Sequence, residues 1–73
     1  MEKSLIVLCM YDDIFEYGEI TVKECVEKYN ISLSTFYRYL KVLSKYVKQR
    51  RFYNVVYDRK RRSYALKKIK FVD

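Results

Sequence analysis

Between Thr21 and Val47 two helical patterns of apolar residues follow one another almost without a gap, and this spacing constrains the fold most. In "TVKECVEKYNISLSTFYRYLKVL", Val22, Cys25, Val26 and Tyr29 fall on one helix face, and Lys23, Glu24, Glu27 and Lys28 on the other. Thr21 and Glu24 have the capping-box spacing, in which hydroxyl and carboxylate satisfy backbone amides reciprocally. Asn30 tolerates the left-handed conformation needed to leave a helix, so the first pattern ends there and Ile31 plugs the turn into the core. Ser32 or Ser34 caps the next helix. On a wheel of about 100° per residue, Leu40, Leu43 and Val47 lie within about 40° of Phe36. Leu33 lies near one edge of that stripe, and Tyr39 and Tyr46 near the other, so that Tyr39 and Tyr46, like Tyr29, read as lying on buried helix faces. The opposite arc carries Ser34, Arg38, Lys41, Lys45 and Lys48, flanked by Tyr37 and Ser44, and holds positive charge only.

The segments on either side extend the pattern. Lys3 to Glu16 reads as a helix that is apolar on more than one side, more than a surface helix needs. Its run "LIVLCMY" also fits a strand. Gly18 supplies a turn, and Glu19 to Thr21 fit a short strand. After the third helix, "RFYNVVYD" and "RSYALKKIKF" read as two strands around the charged tip "DRKRR", Asp58 to Arg62. The hairpin lacks an Asn-Gly or Asp-Gly turn, which leaves its turn type and register open. The order is helix, short strand, helix, helix, strand, strand. With 73 residues the chain is expected to form one domain over 1–73, with the paired helices at about 21–47 and the hairpin at about 50–70. Nine tyrosines, four phenylalanines and no proline favour an ordered fold over a disordered chain.

Charge divides the sequence at the same turn. Residues 1–31 hold 3 basic and 7 acidic side chains and residues 32–73 hold 13 and 2, so a half at −4 precedes one at +11 and the total is +7. Such a basic half suggests a polyanionic partner, nucleic acid or an anionic membrane surface. "LIVLCM" is too short to span a bilayer and "YDD" follows it without a cleavage site, so the expectation is a cytoplasmic protein with no membrane partner. Cys9 and Cys25 read as buried free thiols. With no histidine, no glycine-rich phosphate loop and no cysteine set, neither metal nor cofactor is expected, and catalysis is not the reading. Asp12, Asp13 and Glu16 read as solvated carboxylates.

Two helices joined by "NISLS" make a helix-turn-helix candidate. The major groove of DNA admits one α-helix whose N-terminal side chains reach base edges. Ser34, Tyr37, Arg38 and Lys41 are the candidates for base edges, and Ser32, Thr35, Lys45 and Lys48 for phosphates. Arg59, Lys60, Arg61 and Arg62 of the tip are further phosphate candidates. Tyr57 and Tyr64 flank that tip.

The stretch from Thr21 to Leu43 resembles the helix-turn-helix of bacterial winged-helix transcription regulators, with the DeoR type and the N-terminal domains of WYL-domain regulators nearest. Their pattern runs roughly "ELAEELNVSxxTIRRDLxxL". Asn30 takes its turn position, Ile31 the turn hydrophobe, Ser32 the serine, Thr35 the threonine and Arg38 the second arginine. Phe36, Leu40 and Leu43 take core positions. Val26 is larger than the usual alanine, Tyr37 replaces the first arginine, Tyr39 replaces the aspartate, and the hairpin lacks the glycine common at wing turns. The resemblance implies an α+β, mostly α winged helix of three helices and a small hairpin wing. It also implies dimeric, sequence-specific binding of double-stranded DNA in transcription regulation. The third helix, about Ser34 to Val47, is then the recognition helix. The apolar excess of the first helix is the candidate surface for a homodimer, together with the C-terminal segment. Many such regulators carry a ligand-sensing domain, so the chain is either a standalone protein or part of a longer one. Two rivals stand beside this reading: a protein-interaction winged helix with an incidental charged face, and a binder of RNA or single strands that stacks bases on Tyr53, Tyr57 and Tyr64.

Overall fold

A computed structural model describes residues 2–70. Phe71 to Asp73, the end of the C-terminal segment invoked for pairing, lie outside the described residues. The chain runs α1 (Lys3–Tyr17), β1 (Glu19–Ile20), α2 (Val22–Tyr29), α3 (Leu33–Arg51), β2 (Tyr53–Asp58) and β3 (Ser63–Lys68).

The ambiguous run in α1 is helical. Ile6, Met10 and Ile14 are buried while Leu8 between them is 61% exposed, whereas a strand would place residues 6, 8 and 10 on one face. Leu5 and Phe15 are exposed as well, so the apolar excess read from the sequence lies on the surface. Gly18 ends α1 with φ 82°, and its N–H donates to the Ile14 carbonyl at 3.0 Å. This left-handed step is open to glycine without a side-chain penalty.

The turn between α2 and α3 is built as its residues dictate. Thr21 Oγ1 accepts from the Glu24 N–H at 3.1 Å, the hydroxyl limb of the capping box. Asn30 ends α2 at φ 52°, ψ 52°, and the Ile31 N–H donates to the Val26 carbonyl at 3.2 Å. Ser32 is the cap of α3, with its Oγ accepting from the Thr35 N–H at 3.2 Å, which settles the choice against Ser34.

Three readings need correction. The third helix is longer than Ser34 to Val47: it starts at Leu33 behind its serine cap and continues through the helix formers Gln49, Arg50 and Arg51. It stops where Phe52 adopts φ 61°, so the first strand of the hairpin begins only at Tyr53. Tyr46 is 48% exposed rather than buried, because it lies at the margin of the α3 stripe, with the Tyr11 ring of α1 meeting it edge-on at 5.7 Å. Cys25 is a buried free thiol, but Cys9 is only half-buried.

The sheet has the order β1-β3-β2 and is antiparallel throughout. Tyr57 stands opposite Tyr64 and Asp58 opposite Ser63 across the hairpin, and Glu19 opposite Ala65 across the other edge of β3. At the hairpin turn, Asp58 Oδ1 accepts from the Lys60 N–H at 3.0 Å and the Arg61 N–H at 3.3 Å. Arg62, at φ 51°, makes the left-handed step that a glycine would otherwise supply.

One core cluster joins these elements. Ile6, Met10 and Ile14 of α1 pack with Ile20 of β1, Cys25 and Tyr29 of α2, and Phe36, Leu40, Leu43 and Val47 of α3. A polar staple reinforces it: Asp13 of α1 accepts from Tyr29 Oη and, at 3.2 Å, from Lys28 Nζ. The arrangement is a winged helix-turn-helix, mostly helical, with the β2–β3 hairpin as wing.

The core contains two groups that resist ionisation. Burial, then the charges of Asp13 and Glu24, push the Cys25 thiol up to about 11 from 9.0. Burial and the hydrogen bond to Asp13 likewise raise the Tyr29 phenol above its ordinary value. Both are raised above their unfolded values, so the stability they contribute is complete below the unfolded pKa and is lost as pH rises through the folded one. The urea midpoint should therefore decline from about pH 9 upward, and decline less in Cys25→Ala/Tyr29→Phe. Equal declines in the two proteins contradict this assignment.

Candidate nucleic-acid interface

The α3 stripe fixes which residues face out. With Phe36, Leu40, Leu43 and Val47 in the core, Ser34, Tyr37, Arg38, Lys41, Lys45 and Lys48 are all exposed. Lys41, Lys45 and Lys48 have no ion-pair partner among the described residues. At the N-terminal end, a hydroxyl network organises the face. Ser32 Oγ donates to Thr35 Oγ1 at 2.8 Å, and Arg38 Nη2 donates to the same oxygen at 3.1 Å. Ser34 Oγ lies 3.2 Å from Ser32 Oγ. Arg38 is thus held along the first turns of the helix, with most of its donor fork still outward. Ser32 and Thr35 are engaged in the cap, Ser32 as its acceptor and Thr35 as acceptor from two donors.

A chain of aromatic rings ties this end of α3 to the wing. Tyr37 meets Phe36 edge-on at 5.3 Å, Phe36 lies 6.0 Å from Tyr64, and Tyr64 lies 4.9 Å from Tyr57. Burial, followed by a hydrogen bond with Tyr37, raises the Tyr64 phenol above its ordinary pKa. Tyr37 and Tyr57 also line a groove of about 690 Å³ with Leu33, Val22, Arg61 and Arg62. The N-terminal end of α3 and the wing therefore border one groove, with α2 forming its other side.

The wing cations divide into two kinds. Arg59, Lys60 and Arg62 are exposed, with no ion-pair partner among the described residues. Arg61 is engaged: its Nε and Nη2 donate to the two carboxylate oxygens of Glu19 at 2.7 and 2.8 Å. Nothing local in the sequence signals this pair, because 42 positions separate its members and only the β1–β3 register brings them together. Arg50, Lys67 and Lys68 are further exposed cations that no sequence motif singles out, while Arg51 donates to the Tyr11 hydroxyl at 2.7 Å. Among the described residues no cluster of His, Cys, Asp or Glu is arranged to hold a metal ion, and no helix is long and apolar enough to cross a membrane.

Residues 2–53 match the family model described as the Mga helix-turn-helix domain. No curated protein and no solved structure matches the chain. The matched stretch covers α1, β1, α2 and α3 and stops as β2 begins, so the motif class read from Thr21 to Leu43 is supported, and the DeoR-type and WYL subfamily is not. The three helices, their tight turn and the extent of this match place the chain in the family of Mga helix-turn-helix domains.

Proposed function

We propose that the chain binds double-stranded DNA as a transcription regulator, with α3 in the major groove and the wing on the adjoining backbone. One observation carries this reading: the outward face of α3 bears only positive charge, and the wing continues it with three cations that have no ion-pair partner among the described residues. Ser34, Tyr37, Arg38 and Lys41 lie toward the N-terminal half of α3, the part that reaches base edges in helix-turn-helix docking. Arg38 is the strongest candidate reader, because a guanidinium matches the paired acceptors of guanine and Thr35 already limits its freedom. Lys45, Lys48, Arg59, Lys60 and Arg62 suit phosphates, which position without specifying. Thr35 keeps its own hydroxyl proton for a phosphate, whereas Ser32 has given its proton to Thr35.

The tyrosines argue for a duplex over single strands. Tyr64 packs on Phe36 and Tyr57, and Tyr53 meets Phe15 edge-on at 5.6 Å, so of the three rings only Tyr57 is exposed and no platform of several open rings is left for stacking bases. The apolar face of α1 belongs to a second function. Val7, Leu8, Tyr11, Val42 and Tyr46, together with Lys3 and Arg51, line a groove of about 800 Å³ between α1 and α3, and Leu5 and Phe15 extend the exposed apolar surface of α1. We infer that two copies pair through α1, which would present two recognition helices to successive half-sites.

Binding to duplex DNA should weaken steeply as salt rises, and Arg38→Ala should cost about 1–3 kcal/mol on a selected site and much less on random duplex. Salt-independent duplex binding contradicts phosphate-driven docking, and equal losses on every sequence make Arg38 a phosphate contact and not a base reader. Leu8→Glu, at an exposed position, should turn a dimer into a folded monomer in sedimentation velocity. A wild-type protein that sediments as a monomer at high concentration removes the α1 pairing.

A further inference from the structure

The wing cations are consecutive in sequence but not equivalent in structure, and Glu19 makes the difference. Side chains alternate across a strand, so Glu19, opposite Ala65, shares a sheet face with Ser63. Its Oε2 accepts from Arg61 Nε at 2.7 Å and from Ser63 Oγ at 3.1 Å, while Oε1 accepts from Arg61 Nη2 at 2.8 Å. Ser63 has no exposure at all, so one partner of the carboxylate is anchored in the packed interior. The Arg61 hydrogen bond is also the main reason the Glu19 carboxyl lies below its ordinary pKa. The backbone at Arg61 is fixed separately, through its N–H to Asp58 Oδ1.

A two-point, planar engagement is what a guanidinium also offers a phosphate. Glu19 occupies the Nε–Nη2 edge of Arg61, one of the two edges on which a guanidinium could hold two phosphate oxygens, and its charge offsets that of the guanidinium. We propose that Glu19 is the positioning residue of the wing: it withholds Arg61 from DNA and fixes the direction from which Arg59, Lys60 and Arg62 meet the backbone. This rests on the duplex-binding reading of the α3 and wing surface. Phosphates carry no sequence information, so an Arg61 released from Glu19 would add affinity for every duplex alike. The carboxylate therefore limits non-specific binding while leaving base contacts on α3 untouched.

The test is the salt dependence of binding for wild type, Arg61→Ala, Glu19→Gln and the double variant, on one duplex selected from a random pool and one random duplex. Each phosphate contact contributes about 0.9 to the slope of log K against log salt. Arg61→Ala should keep the wild-type slope, because Arg61 makes no phosphate contact to lose. Glu19→Gln should steepen the slope by about 0.9 on both duplexes, and the double variant should return it to the wild-type value. A slope made shallower by Arg61→Ala, or unmoved by Glu19→Gln, overturns the withholding of Arg61. Amide exchange in the free proteins reads the positioning role without DNA: residues 59–62 should exchange faster in Glu19→Gln, and unchanged exchange overturns that role. Failure of wild type to bind any duplex defeats the interface reading itself, and is told apart because the exchange experiment contains no nucleic acid.

Discussion

The structure depends on α3 burying one stripe and only one. Phe36, Leu40, Leu43 and Val47 close the core against α1, and Phe36 and Leu43 do so with no exposed surface. A helix so committed has no freedom to rotate, because turning it would expose the stripe and bury lysines without partners. The direction of Arg38, Lys41, Lys45 and Lys48 is thus a consequence of packing. Phe36 also sets the wing, since its ring packs against both Tyr37 on the helix and Tyr64 on β3.

Electrostatics then sort the cations that packing has placed. The acidic half of the chain is not merely a solvated counterweight to the basic half. Asp13 staples α1 to α2 through Lys28 and Tyr29, and Glu19 ties β1 to the wing through Arg61 and Ser63. Each joins segments distant in sequence, and Glu19 occupies a cation, Arg61, that composition alone would assign to a polyanion. The isolated exposed ion pair is a weak stabiliser. These two act instead by fixing where neighbouring groups point, with one partner in each case, Tyr29 or Ser63, buried in the interior.

What the sequence made legible was local. Helical periodicity and capping residues identified α2, the turn at Asn30 and the core face of α3, because these are set by contacts within a few residues. The end of α3 was less legible: no glycine or proline marks it, and Phe52 takes a left-handed conformation that its residue type does not advertise. Tyr46 was misplaced because a wheel gives direction but not what lies above it, and α1 covers only part of that side. The Glu19–Arg61 pair was illegible for the same reason in stronger form, since it exists only through the β1–β3 register. For the interface, the exposed cations of α3 from Arg38 to Lys48 could be read in advance, but Arg50 beyond them and the separation of Arg61 from Arg59, Lys60 and Arg62 could not.

The central claim is that α3 and the wing form one duplex-binding strip while the groove between α1 and α3 serves a different purpose. Backbone and side-chain NMR shifts recorded during titration with duplex DNA test it most directly. The expected result is perturbation concentrated at Ser34, Tyr37, Arg38 and Lys41 and at the wing tip from Arg59 to Arg62, with Leu8, Val42 and Tyr46 undisturbed beyond any change in pairing. Perturbation centred on the α1–α3 groove, with Arg38 and the wing tip unmoved, would contradict it.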